Sequence, residues 1–339
     1  MKHKLSITVM ITLTICLSFV CASGALAQTY NIYFGDLHTH TGYSDGMGTP
    51  AQAFQQAKSS GQADFMAITD HAPSINPKEW KDTVAQADIF TDSTFVAIAG
   101  FEYCKDWGHM CIFNTALSNP RTTLPSQYYD KLVALPGSIG QWNHPTWSCG
   151  DNFDGFDYYS AARDSRMGLI EVNNWGDRYE ANYPLALDMG WHVSPAANSD
   201  AHEANWITGW ELRTAVLATS LTRANIYDAI ANNRTYATED RNLRISYTLN
   251  GNVMGSIIPA TSTMNIVVHA EDPDTSGGDT IIRIEVISDG GAVVASQDYS
   301  AYSVDFQTTL TSTTSKYYYV KVTKAENKFA WTAPVWITR

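Results

Sequence analysis

Asn31-Ile32-Tyr33-Phe34-Gly35-Asp36-Leu37-His38-Thr39-His40 decides how the rest of the chain is read. Aromatic and branched apolar residues fill Asn31 to Leu37, which predicts a strand, and that strand runs directly into a His-x-His pair. Residues two apart on extended backbone project to one side, so the imidazoles of His38 and His40 can grip a single cation. By itself the pair is weak, because His-x-His is also ordinary polar surface.

Working outward, short apolar runs alternate with helix-length segments as far as Thr238. The candidate strands are Asn31 to Leu37, Asp64 to Thr69, Phe95 to Phe101, Ile139 to Asn143, Gly168 to Val172, Val193 to Asn198 and Thr214 to Ala218. Thr49 can cap a first helix that Pro50 opens and Gly61 ends, and Ser220 or Thr222 opens another through Ala231. This is the pattern of βα units, and it predicts an α/β fold with a barrel of parallel strands. Asp70-His71, Glu102, His144 and the Asp200/His202 pair all follow candidate strands. In a βα barrel those carboxyl ends converge on one face. A set of core histidines would need five separate coincidences to look like this. His192, at the start of a strand, and His269, in the C-terminal part, read as structural.

Beyond Arg241 the composition shifts to Thr-, Val- and Tyr-rich runs separated by Asn250-Gly251, Gly277-Gly278 and Gly290-Gly291, which predicts an all-β sandwich. At the other end, Lys2 and Lys4 precede an uncharged apolar run that closes on Ala25-Leu26-Ala27, the form of a secretory signal. The expected organisation is a signal peptide at 1–27, a catalytic barrel at 28–240 and a β-sandwich at 241–339. Without Lys2 and Lys4 the balance is 20 basic against 34 acidic residues, a net charge of -14 where the whole chain has -12. That acidity, with no basic stripe, argues against nucleic acid. No later segment is long and apolar enough to span a bilayer, so a secreted or periplasmic protein without a membrane anchor is expected. Export would place Cys104, Cys111 and Cys149 in an oxidising compartment, with pairing open.

Gly35-Asp36-Leu37-His38-Thr39-His40-Thr41, Tyr43-Ser44-Asp45-Gly46, Ala67-Ile68-Thr69-Asp70-His71 and Asn198-Ser199-Asp200-Ala201-His202 resemble, in type, order and spacing, the polymerase and histidinol phosphatase (PHP) superfamily. The Phe34-Gly35-Asp36-Leu37-His38 opening, the signal and the tail around Ala330-Trp331-Thr332 look closest to the exported CehA/McbA-like metallohydrolases within it. The resemblance implies a distorted (β/α)7 barrel and a centre of two or three divalent metal ions. His38, His40, Glu102 and Asp200 would hold one ion. Glu102 would bridge to a second, held by His109 and His144. Asp45, His71 and His202 would form a third site, with Asp45 where other members place a histidine. Asp36 and Asp70 suit carboxylates that orient imidazoles, and Glu171 reads as a hydrogen-bonding wall residue at the same face.

Imidazoles mixed with carboxylates suit zinc, manganese or iron(II). Ions bridged by one carboxylate can share a hydroxide and aim it at phosphorus or carbon. The expected function is an exported phosphoesterase acting on a small-molecule or polymer-linked ester, with Glu102, Asp200 and His202 as catalytic residues. Two alternatives stay open: a carbamate or carboxyl ester hydrolase, and a non-catalytic surface protein binding glycan or a partner. Trp142, Trp147, Trp175, Trp206 and Arg178 are candidates for the substrate pocket. Basic residues near the expected mouth are few, which favours a diester or uncharged ester over a phosphomonoester dianion.

Overall fold

The computed structural model describes residues 29–146, 152–311 and 314–339. The expected signal at 1–27, Trp147 and Cys149 lie outside the described residues.

The chain folds as a mixed α/β protein with one large sheet and few helices. Its first strands are β1 (Asn31–Asp36), β2 (Phe65–Ile68), β3 (Val96–Lys105), β4 (Gly108–Phe113), β5 (Ile139–Asn143), β6 (Met167–Asn174), β7 (Asp177–Arg178), β8 (Ser194–Asn198), β9 (Arg213–Ala218) and β10 (Thr235–Thr238). β1, β2 and β3 pair in parallel, as do β5 with β6 and β6 with β8. β2, β5, β6 and β8 are buried along their whole length, so the polar side chains they carry, Gln141, Asn143, Glu171, Asn173, Asn174 and Asn198 among them, need partners inside the protein.

The expectation of uniformly parallel strands is corrected at two places. β4 runs antiparallel to both β3 and β5, because only Asp106 and Trp107 separate it from β3 and no crossover fits so short a link. β9 is antiparallel to β1, and β10 to β9. After β8 the chain stays at one end of the sheet through residues 199–212 and returns without a crossover, so β9 must run backward.

Helix punctuation follows the sequence. The helix Pro50–Ser60 is opened by Thr49, whose Oγ1 accepts from Gln52 N while Gln52 Oε1 accepts from Thr49 N, and it stops at Gly61 with φ 63°. Thr222 caps the helix Arg223–Ala231 by its side chain alone, accepting from Asn225 N at 3.2 Å.

The C-terminal part adds β11 (Arg244–Leu249), β12 (Asn252–Val253), β13 (Ile257–Pro259), β14 (Thr263–Glu271), β15 (Ile281–Ser288), β16 (Ala292–Ala301), β17 (Ser303–Thr311), β18 (Tyr317–Lys324), β19 (Phe329–Thr332) and β20 (Val335–Thr338). One sheet runs β12-β11-β14-β17. Strand β14 alternates strictly, burying Met264, Ile266, Val268 and Ala270. These side chains share one core with Ile284, Val286, Val320 and Val322 of the other sheet. The two parts are joined by backbone, because β10 pairs with β19 through Tyr236↔Thr332, Ala237↔Trp331 and Thr238↔Ala330. Sequence patterning missed β16, whose residues are mostly exposed, and β19.

Candidate metal centre

Each histidine and carboxylate reaches the site by a separate local device. Past the end of β1, His40 N donates to Ala201 O at 2.9 Å and Asp200 N donates to His38 O at 2.9 Å. The loops after β1 and β8 are thereby zipped together, and His38, His40 and Asp200 converge. Asp200 sits at φ 50°, a left-handed conformation that aspartate tolerates better than most residues. Glu102 lies within β3, and an isolated parallel bridge sets His71 beside it. Because β4 runs backward, its first residues lie at the site, with His109 opposite Cys104 on β3 and Asn143 on β5. His144 follows β5 at φ 29°. Gly46 lets the 41–48 loop close over His40: a Cβ there would stand 2.8 Å from the His40 carbonyl carbon.

Three sets of donors result. His38 Nε2 and His40 Nε2 face each other at 3.2 Å, with Asp200 Oδ1 3.3 and 3.1 Å away. Glu102 Oε1 is 3.4 Å from His109 Nδ1, 3.5 Å from His144 Nε2 and 3.3 Å from His38 Nε2. Asp45 lies 3.4 Å from His71 Nε2 and 3.3 Å from His202 Nε2, and 3.9 Å from His40 Nδ1. One ligand atom per residue lies within 4.8 Å of all the others in His38/His40/Asp200, in Glu102/His109/His144 and in His40/Asp45/His71/His202.

The donor chemistry fits divalent cations. Asp200 is 9% exposed, yet its Oδ1 has no well-directed hydrogen bond, an expensive arrangement for a buried carboxylate oxygen. His144 Nδ1 is likewise buried without a partner among the described residues. Burial disfavours charge on Glu102, but the nearby His38 and the bonds from His109 and His144 hold its carboxyl well below the usual range. For His38 burial again opposes the charge, and the carboxylates of Asp200, Glu102 and Glu171 carry its pKa well above the usual imidazole value. The cluster therefore concentrates negative charge that protons or cations must answer.

A layer of amides holds these groups. Glu171, fully buried, receives His38 Nδ1 at 3.0 Å, Asn198 Nδ2 at 2.9 Å, Asn174 Nδ2 at 2.9 Å and the His144 main-chain N–H at 2.7 Å. Accepting from His38 Nδ1 leaves His38 Nε2 free to face Glu102 and Asp200. Asn143 Nδ2 donates to Glu102 Oε1 at 2.7 Å. Asn143, Asn174 and Gln141 were not legible as site residues, since amides in strands carry no motif, and Asn198 was legible only as the opening of the Asn198-Ser199-Asp200-Ala201-His202 stretch.

Several sequence expectations need correction. Asp36 orients no imidazole: its carboxylate accepts from the main-chain N–H of His38 and Ser199, joining β1 to β8, and burial pushes it up to about 6. Asp70 accepts from Thr41 N, Thr41 Oγ1 and Ser44 Oγ, and reaches His40 only through Ser44, whose Oγ is 3.3 Å from His40 Nδ1. Trp142 is no pocket wall but fully buried core, donating to Tyr129 and packed on Phe156 and Trp191. Trp206 is buried as well, and its Nε1 donates to His40 O at 2.8 Å, bracing the metal loop from behind. Arg178 is committed to Glu239 at 2.6 and 2.7 Å and lies over the Phe329 ring. Of the pocket candidates, Trp175 stands at the mouth, half exposed and stacked beside His202. His192 pairs with Asp164 and His269 with Asp305, away from the centre.

The sequence left the pairing of Cys104 open. Its Sγ lies 3.0 Å from His71 Nδ1 and 3.6 Å from Glu102 Oε2, inside the centre, and neither Cys104 nor Cys111 is bridged.

With this geometry in view, similarity to known proteins can be stated. A crystal structure described as a two-domain protein containing a predicted PHP-like metal-dependent phosphoesterase, from Bacteroides vulgatus, superposes with a TM-score of 0.52 at 16% identity, covering 90% of this chain and 96% of that one. The chain shares that protein's fold. An uncharacterised protein of Chlamydia pneumoniae is 25% identical over 137 residues, 37% of this chain and 22% of that protein's length. The match thus spans about a fifth of that relative. No family model matches. No helix among the described residues is long and apolar enough to cross a membrane.

Proposed function

We propose that the chain is an exported metal-dependent hydrolase of PHP type that cleaves phosphate esters, built as a distorted (β/α)7 barrel over 28–240 with a β-sandwich over 241–339. The observation that carries this reading is that the donor sets share members. His40 belongs to the first and third sets, and Glu102 belongs both to the second and to a further set with His71 and Cys104, so cations held there would be neighbours, the arrangement that phosphoryl hydrolysis exploits. Support also comes from the fold shared with the Bacteroides protein. Bound zinc, manganese or iron(II) ions would supply Lewis acidity toward the ester oxygens and an acidified water as nucleophile.

The chain's own residues do the positioning. Glu171 fixes the tautomer and ring plane of His38, and Asn143 aims Glu102 toward the cluster. His202 Nδ1 bonds the Asp200 carbonyl at 2.8 Å, which turns its Nε2 toward Asp45 and the mouth. Asp45 is 58% exposed at its side chain and His202 25%, so these two stand where a departing alkoxide would take its proton.

One observation favours a second reading, hydrolysis of carbamate or carboxyl esters. Arg178, the cation expected at the rim, is neutralised by Glu239 and is not offered to a phosphate dianion. Within the first reading the same fact points to diesters. Metal-loaded full-length protein assayed on phosphomonoesters, phosphodiesters, aryl carbamates and carboxyl esters decides the matter. Diester turnover is expected, and turnover confined to carbamates or carboxyl esters overturns the phosphoesterase reading.

A further inference from the structure

Strand β6 passes to β7 through Trp175 and Gly176 alone, with Asn174 paired to Asp177. Both turn residues have positive φ, 53° and 84°, the requirement of the two-residue hairpin turn that asparagine-glycine satisfies best. An indole residue in the left-handed region is strained. The turn is nonetheless firmly held: Trp175 N donates to Asn198 O at 3.2 Å and Gly176 N to Asn173 Oδ1 at 3.1 Å. The strain yields no buried packing in return, since Trp175 is 50% exposed. Strain that persists in an anchored segment at a site mouth is a reason to look for function there.

The indole is well placed for one. Its ring lies 5.9 Å from that of His202 at an interplanar angle of 26°, so it extends the wall of the metal centre outward. Trp210 meets it at 6.3 Å and 73°, making a steep corner of two indoles. Trp210 is itself packed against the main core, so the corner is rigid on that side. A flat ring can lie against one indole and present its edge to the other, the two geometries aromatic rings prefer.

We propose that the Trp175–Trp210 corner is a subsite for a planar aromatic group, an aryl ring or a nucleobase, carried by the ester that the metal centre cleaves. This rests on the metal-hydrolase reading and names the class of substrate within it. A group stacked beside His202 is close to the cleaved bond, so the subsite recognises the part of the ester attached nearest to phosphorus.

The test compares phenylphosphonate with methylphosphonate, neither of which can be hydrolysed at its P–C bond, by calorimetric titration of metal-loaded full-length protein. The expected result is about tenfold tighter binding of phenylphosphonate, with the ratio falling below about threefold in Trp175→Asn and reduced in Trp210→Leu. Because asparagine suits the turn, Trp175→Asn is expected to melt roughly 2–4 °C higher than the parent, which shows that it folds. Equal binding of the two phosphonates by the parent, or an unchanged ratio in Trp175→Asn, overturns the subsite. Failure of both to bind overturns it too. The phosphoesterase reading fails separately, by absence of diester turnover in the substrate panel.

Discussion

Asp200 Oδ1 lies 3.1 Å from His40 Nε2 with no well-directed hydrogen bond of its own, and His38 Nε2 stands 3.3 Å away on the other side. A buried carboxylate oxygen between two ring nitrogens that face each other is poorly satisfied by protein alone. A cation bonded to all three resolves the conflict. In such a protein, ligand binding to the folded state alone raises stability in step with occupancy.

Chelation is therefore expected to lower the melting temperature of metal-loaded protein by several degrees, on the order of 5 °C if the metal is present at about a hundredfold its dissociation constant. Asp200→Asn keeps the shape but removes the charge, and its melting temperature should respond little to chelator. Differential scanning calorimetry with and without chelator measures both. Equal chelator shifts in parent and variant would show that Asp200 holds no metal.

Glu171 touches His38 and not the centre of the cluster, so its contribution acts through the imidazole. Glu171→Gln retains most of the hydrogen bonds but no longer enforces the proton on His38 Nδ1. Metal affinity should fall by roughly 10–100-fold while the circular dichroism spectrum is retained. Competition with a fluorescent chelator reads the affinity, and a loss below twofold would reduce Glu171 to a packing residue.

The extent to which the site was legible follows from how each residue is placed. His38, His71, His144 and Asp200 follow strands whose patterns are local, so their common face could be read from strand order. The amides on Glu102 and Glu171 could not, because Asn143 and Asn174 interrupt buried strands without a motif, and Asn198, though it opens the Asn198-Ser199-Asp200-Ala201-His202 stretch, carries no sign of its partner. The direction of Trp142 and Trp206 was equally hidden: both flank metal residues in sequence, but alternation along β5 turns Trp142 into the core and the 199–212 loop folds Trp206 behind His40. The antiparallel pairing of β4 with β3 was hidden because the two-residue link Asp106-Trp107 lacks the asparagine-glycine signal of a tight hairpin.

Cys104 gives an independent probe of the centre. Burial pushes its thiol pKa up strongly, with Glu102 adding to the shift, so in metal-free protein it should react slowly with disulfide reagents at neutral pH and faster as pH rises. Cation binding beside His71 and Glu102 should reduce that labelling at least several-fold, and cobalt(II) should develop near-ultraviolet thiolate absorption if Sγ enters the ligand shell. Protein lacking residues 1–27, and so without Cys16 and Cys21, in a Cys149→Ser background isolates the Cys104 signal, since Cys111 is buried. Labelling of equal rate with and without metal would place Cys104 outside the centre.

Beside the β10–β19 pairing, Lys324 ties Asp240 at the end of the first part to two carboxylates of the second. Its side chain is 1% exposed, and its ammonium lies 2.6 Å from Asp272, 2.9 Å from Asp279 and in contact with Asp240. Burial disfavours charge on Asp240, but Lys324 overrides it and holds the carboxyl below its usual range. For Lys324 burial again opposes, and the three carboxylates raise its pKa. A depressed acid contributes stability that is present above its unfolded value of about 3.9 and fades as pH falls toward the folded one. A raised lysine contributes below about 10.4 and fades as pH climbs through its folded value. The contribution should therefore be level between about pH 4 and pH 10. Lys324→Met leaves three carboxylates crowded without their cation, which should cost about 3–5 kcal/mol at pH 7. The deficit should narrow as pH falls toward 4, because protonation relieves the repulsion left in the variant. Urea denaturation of parent and variant at pH 4.5 and 7 measures this, and equal stability at pH 7 would remove Lys324 from the junction.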